Sequence, residues 1–338
     1  MPPLLQVHNL SVSFHTPQGE VQALRGINFD LAPGEILAVV GESGCGKSVM
    51  CKTLMGLLPD TAAVKSGSIR LKGQDMTHLK EREMQTLRGD QLAMVFQDPM
   101  TALNPTMTIG KQIAEAILIH SPNLTREALE HQIIALMTLV GIDRPRERMA
   151  LYPYNFSGGM RQRSVMAIAL AGNPEILLAD EPTTALDVTI QAQILDLLLD
   201  IQTRLGTATI LVSHDLGVVA RVANRVAVMY AGKIVEIGRA EEVYSNPRHP
   251  YTWGLMRSLP ALCRGDDRLY TIPGMPPSLI NPPPGDAFAP RNEYALAIDY
   301  VEEPPLFKIT DTHYAATWLL DPRAPKITPP IGGAPHDH

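Results

Sequence analysis

Residues Gly41-Glu42-Ser43-Gly44-Cys45-Gly46-Lys47-Ser48 follow the pattern G-x4-G-K-[ST]. Each residue type has a physical task. Glycines let backbone N–H groups curl round phosphate oxygens with no Cβ in the way. A helix opening at Lys47 adds the positive end of its dipole. Lys47 places an ammonium group on the β- and γ-phosphates, and the Ser48 hydroxyl can ligate Mg²⁺. Val49 completes the candidate nucleotide contacts of this stretch. Chance produces the pattern in roughly one percent of chains of this length, and a strand before with a helix after reduces that further. Cys45 fills an open position; a thiol of low pKa is conceivable at a helix start, but simple filler is the better reading.

A second acidic site follows. Ile176-Leu177-Leu178-Ala179-Asp180-Glu181 reads as an apolar strand ending in two acids. In a phosphoryl-transfer ATPase the first acid holds Mg²⁺, usually through water, and the next polarises the attacking water. Taken alone this is weak, because many strands end in solvated acids. Ser157-Gly158-Gly159 come just before a helix predicted over Met160–Ala171. That makes a second amide-and-dipole anion site in the same chain.

Those residues need a scaffold, and the rest of the chain supplies one. Its 338 residues allow about two domains at roughly 150 residues each. Apolar residues are 45% and charged residues 19%, enough for a sizeable core. Lys+Arg is 29 against Asp+Glu 35, a net charge of −6, which gives no support for a nucleic-acid binder. No run of 18 apolar residues encodes a transmembrane helix, and the start Met1-Pro2-Pro3-Leu4 lacks a signal peptide's pattern. Three cysteines, Cys45, Cys51 and Cys263, make no disulfide framework and fit a reducing cytosol.

Leu10–Phe14 and Val21–Leu31 alternate with period two, separated by the turn Thr16-Pro17-Gln18-Gly19, and predict an antiparallel β layer. The runs Ile36–Val40, Ile176–Ala179, Thr209–Val212 and Val226–Met229 suit strands covered on both faces, hence a parallel sheet, and Leu92–Phe96 reads as a strand ended by Gln97. Helices are predicted over Lys47–Leu57 and from Thr125, with Leu129, Ile133, Leu136 and Val140 on one face. Proline splits the chain: 15 lie in residues 1–272 and 14 in 273–338, so the latter cannot be a run of helices or central strands. The tail 329–338, ending His336-Asp337-His338, is read as a solvated, disordered end rather than a metal site.

The order of motifs resembles the ATP-binding subunits of ABC transporters. Gln97 matches the Q-loop. Asn155-Phe156-Ser157-Gly158-Gly159-Met160-Arg161-Gln162-Arg163 matches the signature, with Phe156 and Met160 replacing the usual Leu and Gln. Thr183-Thr184-Ala185-Leu186-Asp187 carries the D-loop, and His214 in Ser213-His214-Asp215 matches the switch histidine. The resemblance covers about residues 5–260. It implies a fold with a parallel RecA-like core, an antiparallel β layer and a helical subdomain. Together with the proline split, the resemblance implies an ATPase domain at 1–260, with a helical subdomain at about 100–172, and an extension at 261–338. It further implies that Ser157 and Gly159 close on the γ-phosphate held by a second subunit's loop, so that ATP glues two subunits together. Glu181 is then the general base, His214 touches the γ-phosphate, Gln97 joins Ser48 and Asp180 at Mg²⁺, and Asp187 lies at the subunit interface. Phe14 is the candidate aromatic on adenine, with an ordinary strand residue as the alternative.

Asp98-Pro99-Met100-Thr101-Ala102-Leu103-Asn104-Pro105, Tyr152–Met160, Asn246–Thr252 and Ile272–Pro277 resemble the dipeptide/oligopeptide/nickel importer branch. This resemblance implies two transmembrane permease subunits, whose short helix meets Gln97–Gly110. It also implies a second and commonly different ABC ATPase, an extracytoplasmic substrate-binding protein, and a peripheral place on the cytoplasmic face of the membrane. Peptide is the leading cargo; nickel or another small solute is the alternative. A non-transport ABC ATPase would usually carry two cassettes or long inserts, and neither occurs here. Intact Lys47, Asp180, Glu181 and His214 argue against a dead adaptor. The branch's extension usually holds four cysteines around an iron–sulfur cluster. Here those positions read Asp286, Asn292, Asp299 and Thr317. No cluster is expected on such an oxygen set; hard oxygens could take Mg²⁺ or Ca²⁺, but hydrogen-bonded loops are the simpler reading.

Overall fold

The computed structural model describes residues 2–184, 186–259 and 270–330. Ala185, Cys263, the 260/261 boundary and residues 331–338 of the tail lie outside them. The chain divides into two compact units, one of residues 1–31, 37–77 and 213–338, the other of 32–36 and 78–212.

In the first unit, among the described residues, an antiparallel sheet runs in the order Gly19–Leu31, Leu5–Thr16, Ala62–Leu71, Gln74–Asp75. The predicted turn is present: Pro17 and Gln18 lie between the paired Thr16 and Gly19, and the Thr16 hydroxyl donates to the Gly19 carbonyl at 2.7 Å. A second sheet of this unit places Ile36–Val40 parallel to Arg225–Tyr230, which pairs antiparallel with Lys233–Arg239. All five residues of Ile36–Val40 are buried, as a run apolar on both faces requires. Each such Val or Leu contributes about 1.5–3 kcal/mol of burial. The helix after the phosphate loop is Lys47–Leu54, shorter than the predicted Lys47–Leu57. Gly56 at φ +62 explains the stop. Its N–H donates to the Thr53 carbonyl at 3.0 Å and Leu57 N–H to that of Lys52 at 2.8 Å, a Schellman closure.

The proline-rich extension belongs to the same unit. Among its described residues it builds 3-10 turns, Ala289–Arg291, Ala297–Tyr300 and Trp318–Leu320, and two two-residue strands, Phe307–Lys308 and Tyr314–Ala315. Tyr314–Ala315 pairs antiparallel with Lys233–Arg239, matching Glu236 to Ala315 and Ile237 to Tyr314. Side-chain oxygens close its turns. Asp286 accepts from Phe288 N–H at 2.9 Å, Asn292 from Tyr294 at 2.9 Å, Asp299 from Leu296 at 2.5 Å and Thr317 from Leu319 at 3.3 Å. These are the four positions at which the sequence resemblance leads one to look for cysteine, and all four are buried. Each of the four side chains thus offers an oxygen to a local backbone N–H, while the second carboxylate oxygen of Asp299, Oδ1, is buried without a hydrogen-bond partner.

In the second unit, Leu92–Val95, Ile176–Asp180 and Ala208–Ser213 form a parallel array with Ile176–Asp180 central. The first strand is one residue shorter than predicted: Phe96 has left the ladder and is exposed. Helices Ile109–His120, Arg126–Leu139 and Gly158–Ala169 pack on one another. Thr125 caps the second as expected, its hydroxyl accepting from Ala128 N–H at 3.3 Å; of the predicted face Ile133 and Val140 are buried and Leu129 and Leu136 half-buried, while Met137 joins the buried stripe. The third begins two residues earlier than the predicted Met160. Gly158 and Gly159 form its first turn and Ser157 is its N-cap.

Candidate functional site

The phosphate loop joins the buried strand Ile36–Val40 to helix Lys47–Leu54. Two glycines are sterically required. A Cβ on Gly41 would stand 2.1 Å from the Met229 carbonyl oxygen, and one on Gly46, at φ +107, would stand 2.6 Å from that of Ala23. The loop therefore lies directly on backbone. Lys47 is buried, and its Nζ donates to the carbonyls of Gly41 at 2.7 Å and Glu42 at 3.0 Å. An ammonium group is thus held inside the curve of the loop, where an anion would neutralise it. Ser43 and Gly44 are exposed, while Ser48 and Val49 are half-buried. Cys45 is buried, and burial pushes its thiol up despite Lys47, so the low-pKa reading gives way to filler.

Two further predicted residues belong to the same unit. Phe14 is half-buried on strand Leu5–Thr16, paired to Val21 on one side and Ala62 on the other. His214 is exposed between the end of Ala208–Ser213 and the short helix Leu216–Val219. Asp215 fixes this corner by accepting from Gly217 N–H at 2.8 Å and Val218 N–H at 3.2 Å.

In the other unit, Asp180 ends its strand buried, and Glu181 follows in the left-handed region at φ +48. A non-glycine residue held there carries strain of about 1–3 kcal/mol. Its N–H donates to the Val212 carbonyl at 3.1 Å. Its Oε2 accepts from the Gln97 amide at 3.0 Å and from the Thr184 hydroxyl at 2.9 Å. Gln97 and Glu181, 84 positions apart, are brought together. Thr184 carries no site role in the sequence motif alone; a hydroxyl three positions after an acid in a tight turn is the signal that marks it.

Ser157 Oγ accepts from Met160 N–H at 3.4 Å, and Asp187 caps helix Val188–Leu205 by accepting from Ile190 N–H at 3.0 Å. These two helix starts meet. A Cβ on Gly159 would fall 2.7 Å from Ile190 Cγ2, and one on Gly158 would fall 3.6 Å from Leu186 Cδ2. The two candidate interface residues therefore sit on neighbouring helix ends.

Phosphate loop, acidic strand end and capped glycine turn on an α/β scaffold define an ATP-binding cassette. The fold agrees. A dimeric post-hydrolysis state of the ATP-binding cassette MJ0796 bound to ADP and Pi is similar at TM-score 0.63 and 25% identity, over 70% of this chain and 98% of that one. Residues 24–184 match the ABC transporter family, and residues 235–298 match the oligopeptide/dipeptide transporter C-terminal region. The dipeptide transport ATP-binding protein DppD of Lactococcus lactis subsp. cremoris is 56% identical over 96% of this chain and 93% of its own. The oligopeptide transport ATP-binding protein OppD of Bacillus subtilis is 56% identical over 97% and 92%. The chain belongs to the ABC transporter ATP-binding proteins of the oligopeptide and dipeptide branch, and is an ATPase of that family.

Proposed function

We propose that this chain energises a peptide importer by hydrolysing ATP in a dimer of nucleotide-binding subunits. The observation that carries the reading is the Glu181 carboxylate, fixed by Gln97 and Thr184 in a chain that also holds Lys47 inside a glycine loop. The Gly41–Ser48 amides and Lys47 bind the phosphates, and Phe14 packs on adenine. Lys47 exchanges its two loop carbonyls for phosphate oxygens. Glu181 accepts a proton from water as that water's oxygen bonds to the γ-phosphorus and the bond to the β–γ bridging oxygen breaks, giving ADP and phosphate. His214 donates to the departing γ-phosphoryl oxygens. Ser157 and Gly159 of one subunit close on the γ-phosphate in the other, beside Asp187. Ser48, Asp180 and the Gln97 carbonyl are hard oxygen donors suited to Mg²⁺, which when bound offsets charge on the β- and γ-oxygens.

Among the described residues no helix is long and apolar enough to cross a membrane. As the relatives' transport names suggest, the working assembly adds two permease subunits, received around Gln97–Gly110, an extracytoplasmic substrate-binding protein and a second ATPase of different sequence. Its place is the cytoplasmic face of the membrane. The relatives' names, dipeptide and oligopeptide transport, support peptide as cargo. The chain comprises an ATPase domain at 1–260 and an extension at 261–338. An extension whose four key side chains offer oxygen ligands in place of thiolates, each side chain capping a turn through one oxygen, does not suit an iron–sulfur cluster. The test is isolation of the tagged chain from membranes followed by ATPase assay in vesicles with peptide-loaded binding protein. Co-isolated permeases and peptide-stimulated hydrolysis are expected. A chain recovered without membrane partners would sink the reading.

A further inference from the structure

Glu42, the first variable position of the phosphate loop, is tied at every polar group. Its N–H donates to the Tyr251 hydroxyl at 2.8 Å, and its carbonyl accepts from Lys47 Nζ at 3.0 Å. Its two carboxylate oxygens receive the two terminal nitrogens of Arg291 at 2.7 and 2.9 Å. Arg291 lies 249 residues away, in the turn Ala289–Arg291 of the extension. The fork is rigidly planted. Arg291 Nε donates to the Pro273 carbonyl at 2.8 Å and Nη1 to the Tyr230 hydroxyl at 3.1 Å. Tyr230, Tyr251 and Phe288 pack on one another around it, with ring centroids 4.6, 5.3 and 5.4 Å apart. The Arg291 side chain is 5% exposed and that of Glu42 is 26% exposed.

A carboxylate in a loop that receives phosphates is an electrostatic liability unless it is neutralised. A bidentate guanidinium cancels its charge and fixes its direction, which a lysine cannot do equally well. The extension therefore supplies the guanidinium that pairs with the Glu42 carboxylate and the geometry that holds it.

We infer that Arg291 is a positioning residue for nucleotide binding: through Glu42 it sets the charge and shape of the phosphate loop, and so links ATP affinity to the fold of the extension. The inference rests on the reading that this loop binds ATP. Linkage is reciprocal, so bound ATP must also steady the turn that carries Arg291.

The test uses the full chain and a fluorescent ATP analogue displaced by ATP. Arg291→Met should raise the Kd for ATP about tenfold, as expected for one uncompensated charge near phosphate. In the assembled transporter the loss should fall on KM more than on kcat. Adding Glu42→Gln to Arg291→Met should recover most of the affinity, because no charge is left to cancel. Arg291→Lys, which keeps the charge and loses the fork, should be intermediate and serves if Arg291→Met does not fold. In the unsubstituted chain, ATP should slow amide exchange at residues 286–292. Unchanged affinity in Arg291→Met or Arg291→Lys, no recovery in the double variant, or no ATP effect on that exchange overturns the inference. An unsubstituted chain that binds no ATP would instead overturn the reading of the loop itself.

Discussion

The Gln97 amide donates to Glu181 Oε2 at 3.0 Å, and the Thr184 hydroxyl donates to the same oxygen at 2.9 Å. Two donors on one oxygen fix how the carboxylate lies, while the left-handed backbone of Glu181 fixes where it starts. Gln97 lies two residues before the helix Pro99–Ala102.

Glu181→Gln keeps size and backbone but cannot take a proton. Turnover should fall by about 10² to 10⁴ with ATP affinity retained. Thr184→Val removes one of the two holding donors and should lower kcat by about three- to tenfold with a smaller change in KM. Steady-state ATPase and nucleotide-binding assays on the assembled transporter measure both.

Ser157 has a structural and a proposed catalytic task, and glycine separates them. Glycine caps a helix almost as well as serine, costing only a few tenths of a kcal/mol, whereas alanine costs about 1 kcal/mol. Ser157→Gly should thus leave the melting temperature nearly unchanged yet weaken ATP-dependent dimerisation. Ser157→Ala should lower both. Sedimentation with ATP in a Glu181→Gln background reads the dimer.

Gly46→Ala forces a Cβ to 2.6 Å from the Ala23 carbonyl oxygen at a φ of +107. Backbone cannot step aside as a flexible side chain would. The substitution should cost more than about 1–3 kcal/mol and abolish ATP binding, as seen by thermal melting and by titration.

Burial pushes the Asp286 carboxyl up to about 6 from 3.8; Phe288 N–H opposes this, and the charges of Asp299 and Glu303 add to it. The folded chain then binds more protons than the unfolded one between those values. This group's contribution to stability is present below about pH 4 and is lost as pH rises through 6, a loss on the order of 2–3 kcal/mol. Asp286→Asn keeps an oxygen for Phe288 N–H and carries no charge. It should raise the melting temperature at pH 7.5 and change it little at pH 4.

The phosphate loop was legible in sequence because its requirements are local: glycine where the chain lies on other backbone, and lysine one position after. The covered strands were legible because burial on both faces leaves apolar runs. Helix limits at Leu54 and Gly158 were missed, since a positive-φ glycine ended one early and glycines opened the other. The extension gave no periodicity to read. Its order comes from Asx and hydroxyl turns, and one of its ties, Arg291 to Glu42, joins residues that only the folded chain brings near.

The pairing of Tyr314–Ala315 with Lys233–Arg239 bears on how this protein can be handled. A chain cut after residue 259 would leave a row of backbone N–H and C=O groups open to any passing strand. Trimming to the cassette should therefore yield a sticky, aggregating product rather than a minimal enzyme, because the proline-rich segment is what covers that border.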